Sequence, residues 1–372
     1  MEQNNLINKI LSNFKEDVII RGIYILAALI IIIAILYYIY IVNLENRECS
    51  FMSNLYGSLN GKITSINDTN PDFKNSLLDY YIKTAYNCCS GGSYKNDYVN
   101  ICNLKNVLKQ GCRGLDFEIF SIDDEPVVAT TTNKDILIKE TFNFVKFSEV
   151  LYILKHYAFS QGFSPNYKDP IILHLRIKSN NQKMFDKIAD LFGMYTELLL
   201  ESKYSYENHG KNLGNIKLLD LMGKIVIIVD KVNTSFMENE KFLEYVNMTS
   251  NSMFMRSLHY YDIKYSPDIV ELQEYNKQNM TIAMPDNEIN PENPSSIIVR
   301  ESGCQMIAMR YQYTDNYLDE IIDFFNNKGS AFVLKPERLR YIVKYLPAPQ
   351  KQDPSLSYKS RDIITDYYKF QI

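Results

Sequence analysis

The sequence predicts an α/β fold, a (β/α)8 barrel preceded by one transmembrane helix, and three observations carry that prediction. From about residue 80 to 334, short apolar runs alternate with amphipathic stretches, the pattern of βαβ units around a parallel sheet. About eight strand candidates in some 270 residues suit a closed barrel better than an open doubly wound sheet. Ahead of them residues 22–42 read GIYILAALIIIIAILYYIYIV, 21 residues without a charge, which at 1.5 Å per residue match a hydrocarbon layer of roughly 30 Å.

The apolar run is longer than the 7–15 residues of a signal peptide, and it closes on Tyr37, Tyr38 and Tyr40, residues suited to a membrane interface. Lys9, Lys15 and Arg21 precede it and only Arg47 follows closely, so the positive-inside rule places the N-terminus in the cytoplasm and the barrel on the opposite side. Four N-x-S/T sequons, at Asn67, Asn233, Asn247 and Asn279, do not decide the orientation in so Asn-rich a chain. Residues 43–79 have Asn, Ser, Gly and Asp clusters without a sustained period and read as a tether with one short helix at most. Strands are then expected at 80–87, 113–120, 170–177, 224–230, 280–284, 304–311 and 331–334, with helices at 103–111, 147–159, 182–200 and 316–329.

Composition narrows the function. Lys and Arg total 40 against 44 Asp and Glu, a net charge of −4 without the basic stripe of a nucleic-acid-binding protein. No GxGxxG or GxxxxGK[ST] follows any strand, which leaves nucleotide binding without support. The six cysteines show no CxxC and no zinc-type spacing, are too sparse for a disulfide scaffold, and mostly read as buried small residues.

GCRGLDFEIF (111–120) followed by EPVV (125–128) resembles the X region of phosphoinositide-specific phospholipase C, as do IKTAYNCCSGG (82–92), PIILHLRIKS (170–179) and LMGKIVIIVDK (221–231). GCQMIAMRYQYTDNYLDEIIDFFNNKGSAFVLKPERLR (303–340) is similar to its Y region. The resemblance implies a barrel of the phospholipase C type with its site at the C-terminal strand ends. It also implies cleavage of an inositol phospholipid by two histidines and a Ca²⁺ held by Asn, Glu, Asp and Glu.

Carried over residue by residue, that machinery is incomplete. The two histidine positions fall on Tyr86 and Thr130, whose hydroxyls are no bases at pH 7; acid–base help worth roughly 10²–10⁴-fold is lost with them. Of the calcium ligands Asn87 is kept, the Glu-x-Asp pair is exchanged as Asp116 and Glu118, and the fourth falls on Arg176. Three oxygens fall short of the 6–8 that Ca²⁺ prefers, so calcium is a doubtful cofactor and no other is indicated. The two phosphate-binding lysines fall near Ile228 and Asp230, and residues 284–296 replace an Arg-containing segment.

Three readings of Asp116, Glu118 and Arg176 stay open: a structural ion pair inside the barrel, a residual ligand site, or a live metal-independent site in which Arg176 facing Asp116 stands in for the metal, as the resemblance to metal-free relatives implies. His174, two residues before Arg176, points into the barrel one layer lower and is a core histidine or a catalytic replacement. His156 and His209 read as structural or exposed, and His259 is ambiguous.

The resulting expectation is an anchored phospholipase C-like pseudoenzyme that binds lipid or a partner, with the bilayer and an inositol phospholipid as partners, no nucleic acid and no identifiable protein partner. The alternative is a divergent phosphodiesterase with a rebuilt or metal-independent site using Arg176 and Asp116. The expected organisation is a segment 1–21, a span 22–42, the tether 43–79, an X-like half 80–235, a linker 236–250, a Y-like half 251–340 and a tail 341–372. It leaves no room for a lipid-binding domain before the barrel or a C2-like domain after it.

Overall fold

Residues 16–132, 137–342, 348–351, 353, 356 and 358–372 are described by a computed structural model. The expectations that rest on Lys9, Lys15 and the rest of residues 1–15 lie outside them. Helix α1 (Glu16–Tyr56) contains the whole apolar run, and its stretch from Ile20 on is long and apolar enough to cross a membrane, with mean hydropathy 3.0 in its most apolar window. It does not stop where the apolar run stops. Residues 43–56, expected to be tether, continue the helix because Met52 and Tyr56 join the barrel's hydrophobic core, and packing sustains a segment whose composition alone does not. Gly57 ends it, its N–H donating to the Ser53 carbonyl at 2.9 Å.

The barrel strands are β1 (Tyr80–Ala85), β2 (Gly114–Ile122), β5 (Ile171–Ile177), β6 (Ile225–Asp230), β7 (Met248–Ser250), β8 (Met255–His259), β9 (Met280–Met284) and β10 (Met306–Met309). They follow one another around the ring in chain order, all parallel, and β10 closes onto β1. No ladder joins β7 to β8, so the barrel is closed except at that seam. Two strands lie off the ring on the side of β2: β3 (Glu125–Ala129) returns antiparallel on β2 through a two-residue turn at Asp123 and Asp124, both with positive φ, and β4 (Val145–Lys146) pairs with β3. The outer helices are α2 (Ile101–Lys109), α3 (Phe147–Ile153), α4 (Gln182–Gly193), α5 (Glu240–Leu243), α6 (Tyr260–Lys264), α7 (Ile269–Gln278), α8 (Ser296–Glu301) and α9 (Asn316–Lys328).

Two-residue alternation sorts each strand between two cores. Ile82, Ile172, Val226, Ile228, Ile282 and Met306 fill the interior cluster, while Tyr81, Leu115, Leu173, Ile227 and Ile307 face the helices. Three expectations need correction. The run 331–334 is not a barrel strand: its core, β11 (Phe332–Leu334), lies antiparallel on the N-terminal half of β1, at the closed end. The eight barrel strands instead include β7 and β8, two short strands whose mixed sequences MTS and MRSLH hide them. The supposed linker 236–250 therefore holds α5 and β7. Beyond the barrel unit, residues 341–372 form a separate small unit whose β12 (Asp362–Ile364) and β13 (Lys369–Gln371) pair as a hairpin.

Of the six cysteines, Cys88, Cys89, Cys112 and Cys304 are free and buried, whereas Cys49 on α1 is disulfide-bonded to Cys102 on α2.

Candidate functional site

The GCRG turn sets the second barrel strand in place. Gly111 takes φ +79°, the buried Arg113 guanidinium donates to the Ala158 and Asn166 carbonyls and to Ser164 Oγ, and Gly114 lets β2 approach Thr84 of β1. From there Asp116 and Glu118 on β2 and His174 and Arg176 on β5 alternate inward and meet at the C-terminal, open end of the barrel.

Arg176 is the centre of this cluster. Its Nε donates to Asp116 Oδ1 at 3.0 Å, one terminal nitrogen to Asp116 Oδ2 at 2.7 Å and Asn87 Oδ1 at 2.9 Å, and the other to Glu118 Oε1 at 2.6 Å. Other donors complete the set. His174 Nδ1 donates to Asp116 Oδ1 at 2.7 Å while its Nε2 faces Ser250 Oγ at 2.9 Å, Asn87 N–H donates to Asp116 Oδ2, and Thr131 N–H donates to Glu118 Oε2 at 2.8 Å. Burial by itself would raise the Asp116 carboxyl, but the Arg176 charge and the His174 hydrogen bond outweigh it and hold the group well below its usual range. For Glu118 burial wins over Arg176 and Lys178, and its pKa is raised. His174 is thus a satisfied core histidine bridging β2, β5 and β7.

Tyr86 lies over this cluster, its ring centroid 4.5 Å from the Arg176 guanidinium carbon, a cation–π contact. Burial pushes its phenol well above 10, so it stays neutral and hydrophobic. Its ring meets Tyr94 edge-on at 5.6 Å, Thr130 Oγ1 donates to the Tyr94 carbonyl at 3.0 Å, and the Arg310 guanidinium carbon lies 4.7 Å from the Tyr94 ring centroid. Both residues in the histidine positions are thus buried in contact with Tyr94. Asn290 and Pro291, in the segment that replaces the Arg-containing stretch, accept from Arg310 and seal this layer.

Beside the cluster a cavity of about 520 Å³ opens at the C-terminal strand ends, lined by Glu118, Arg176, Lys178, Asp230, His259 and Asn287 among others. His259 Nδ1 donates to the Pro285 carbonyl at 2.7 Å, and its Nε2 lies 3.2 Å from Asn287 Nδ2, an imidazole held in one orientation. Asp230, at one of the lysine positions, rims the cavity, and Ile228, at the other, is buried in the barrel. The residues that would hold calcium do not fit it. Each Asp116 oxygen already accepts two hydrogen bonds, Glu118 Oε1 and Asn87 Oδ1 are held by the guanidinium, Glu118 Oε2 by Thr131 N–H, and a cation there would face the Arg176 charge directly.

The fold and this geometry agree with what the sequence matches. Residues 73–231 match the family description "Phosphatidylinositol-specific phospholipase C, X domain" and residues 222–338 its Y domain. The chain belongs to the phosphatidylinositol-specific phospholipase C family. L. pealei PLC21 and S. officinalis PLC21 share its fold, each with TM-score 0.59 and 20% identity. The match covers 72% of this chain and 38% of the first, and 74% and 39% for the second, so the chain spans about two fifths of those proteins. No curated protein sequence matches it.

Among family positions, the structure brings Asn87, Asp116, Glu118, Arg176 and Tyr86 together, and sets Thr130 one residue from the Glu118 contact. Sequence reasoning missed Arg310 and left His259 undecided. The MRY that ends the expected strand 304–311 carries no signal that its Arg turns inward, whereas a histidine ending a strand at the open end of a barrel is a legible candidate.

Proposed function

We propose that this phospholipase C-family barrel is anchored in a membrane by α1 and binds an inositol phospholipid headgroup without hydrolysing it. The observation that carries the reading is Arg176. Its guanidinium takes the point where Asn87, Asp116 and Glu118 converge, and neither Tyr86 nor Thr130, in the histidine positions, is a base that takes the proton from an inositol hydroxyl at pH 7. The polar cavity, with Lys178, His259 and Asn287 on its wall, suits a phosphorylated polyol. On this reading the protein uses no calcium. Its barrel lies opposite the N-terminus, a placement supported by the charge bias around the span and by the Cys49–Cys102 disulfide, which suits an oxidising compartment.

One observation favours the alternative of a divergent phosphodiesterase: His259, oriented by Pro285, shares the cavity with Arg176. Full-length protein in vesicles of phosphatidylcholine with phosphatidylinositol or its bisphosphate separates the two. Binding without release of inositol phosphate, with calcium or with chelator, is the expected result. Turnover that tracks the protein and is lost in His259→Ala overturns it and identifies a rebuilt site.

A further inference from the structure

We propose that α1 is a rigid post that holds the open end of the barrel against the same bilayer the helix crosses, so that the cavity addresses lipids of its own leaflet. The inference rests on α1 being the membrane anchor and adds the direction in which the barrel faces. Five contacts fix it. Asn100 Nδ2 donates to Glu45 Oε1 at 2.6 Å, Cys102 is disulfide-bonded to Cys49, Asn106 Nδ2 donates to Ser53 Oγ at 3.1 Å, Gln110 Nε2 to the Tyr56 carbonyl at 3.2 Å, and Lys109 Nζ to the Gly57 carbonyl at 2.7 Å. From Asn100–Glu45 through Cys102–Cys49 and Asn106–Ser53 to Gln110–Tyr56 residue numbers rise together on the two sides, so the extension of α1 runs parallel to α2.

The direction of α2 is set by topology. It follows β1 and precedes β2 in a parallel barrel, so it descends from the open, C-terminal end to the closed end. The part of α1 nearest the apolar run therefore lies at the open end, and Tyr56 at the closed end. An independent observation agrees. Tyr37, Tyr40 and Leu44 of α1 share one surface cavity with Gly92, Asn290 and Tyr313, which lie in the loops after β1, β9 and β10, all open-end loops. With the interfacial tyrosines at that level, the rim carrying Tyr261, 62% exposed, and Ile289, 54% exposed, is brought to the headgroups, while Met194, 67% exposed beyond the end of α4, is held at the far side.

The test uses full-length protein reconstituted in phosphatidylcholine vesicles containing a headgroup-nitroxide lipid, with an environment-sensitive fluorophore on Tyr261→Cys, Ile289→Cys or Met194→Cys. The four native thiols are buried and the other two cysteines bonded, which leaves the new thiol as the reactive one. Labels at 261 and 289 should shift to the blue and lose intensity to the nitroxide, and the label at 194 should do neither. Flotation of the vesicles after alkaline wash reads the anchor separately. Protein that floats with them but shows equal quenching at all three sites, or most at 194, overturns the orientation alone; protein stripped from the vesicles overturns the anchor and the proposal with it.

Discussion

At Arg176 four guanidinium hydrogen bonds reach carboxylates from one strand and an amide from the turn after another, so the side chain is bound into the barrel and covered by Tyr86. Removing one member of such a buried set leaves the others uncompensated. Arg176→Ala should therefore lower stability by about 3–5 kcal/mol, read as the urea midpoint of the full chain in detergent. Arg176→Glu asks a different question of the same place: it would return a fourth acidic or amide ligand to Asn87, Asp116 and Glu118. In that variant Ca²⁺ should raise the melting temperature in a concentration-dependent way, and in the native chain it should not. An Arg176→Glu protein that folds and ignores Ca²⁺ would show that these oxygens no longer converge. The pairing was legible because strand alternation puts positions 116, 118, 174 and 176 on one side, a rule that needs no tertiary information. That Arg176 reaches both carboxylates and Asn87 at once was not legible, since it depends on the register of β2 against β5, Glu118 opposite Arg176.

The strands and helices show where sequence patterns reach and where they stop. Long apolar strands such as IILHLRI and IVIIVD announce themselves, whereas β7 and β8 are short, carry Thr, Ser and Arg, and exist because their neighbours offer a ladder. The second strand has a tighter requirement. A Cβ on Gly114 would stand 2.2 Å from Thr84 Oγ1, so Gly114→Ala has to push β1 and β2 apart. A loss of about 1–3 kcal/mol is expected in the unfolding midpoint; no loss would mean that the two strands are farther apart in solution. At the closed end Lys335, just after β11, donates to the Asn276 and Gly303 carbonyls, and burial pushes its ammonium down to about 7. Between pH 7 and its usual value of 10.5 the unfolded chain holds a proton that the folded chain has shed, so stability should rise with pH from about 7. Lys83, down to about 8, adds to the slope, and above 9 the buried thiols, whose pKa values burial raises, oppose it. Lys335→Met should flatten the pH 7–9 part of a melting-temperature profile; an unchanged slope would assign it to other groups.

On the scale of the whole molecule α1 and the barrel are one mechanical object, and this was the least legible part of the sequence. Residues 43–56 lack an apolar repeat of their own, and Cys49 and Cys102 are 53 residues apart, so nothing local places their Cα atoms within 6.0 Å of each other. The fold does so by laying the end of α1 along α2, with Met52 and Tyr56 in the core and Tyr56 against Tyr311 at 5.5 Å. A cross-link across that separation restricts the unfolded chain by about 4 kcal/mol in the loop-entropy account. Reduction, or the pair Cys49→Ser and Cys102→Ser, should therefore lower the unfolding midpoint of the full chain in detergent by an amount of that order. Tyr56→Ala, which leaves the disulfide intact, should cost stability through lost packing in both the oxidised and the reduced protein. If reduction left the midpoint unchanged while Tyr56→Ala still lowered it, the post would be held by packing alone and the disulfide would add nothing to its stiffness.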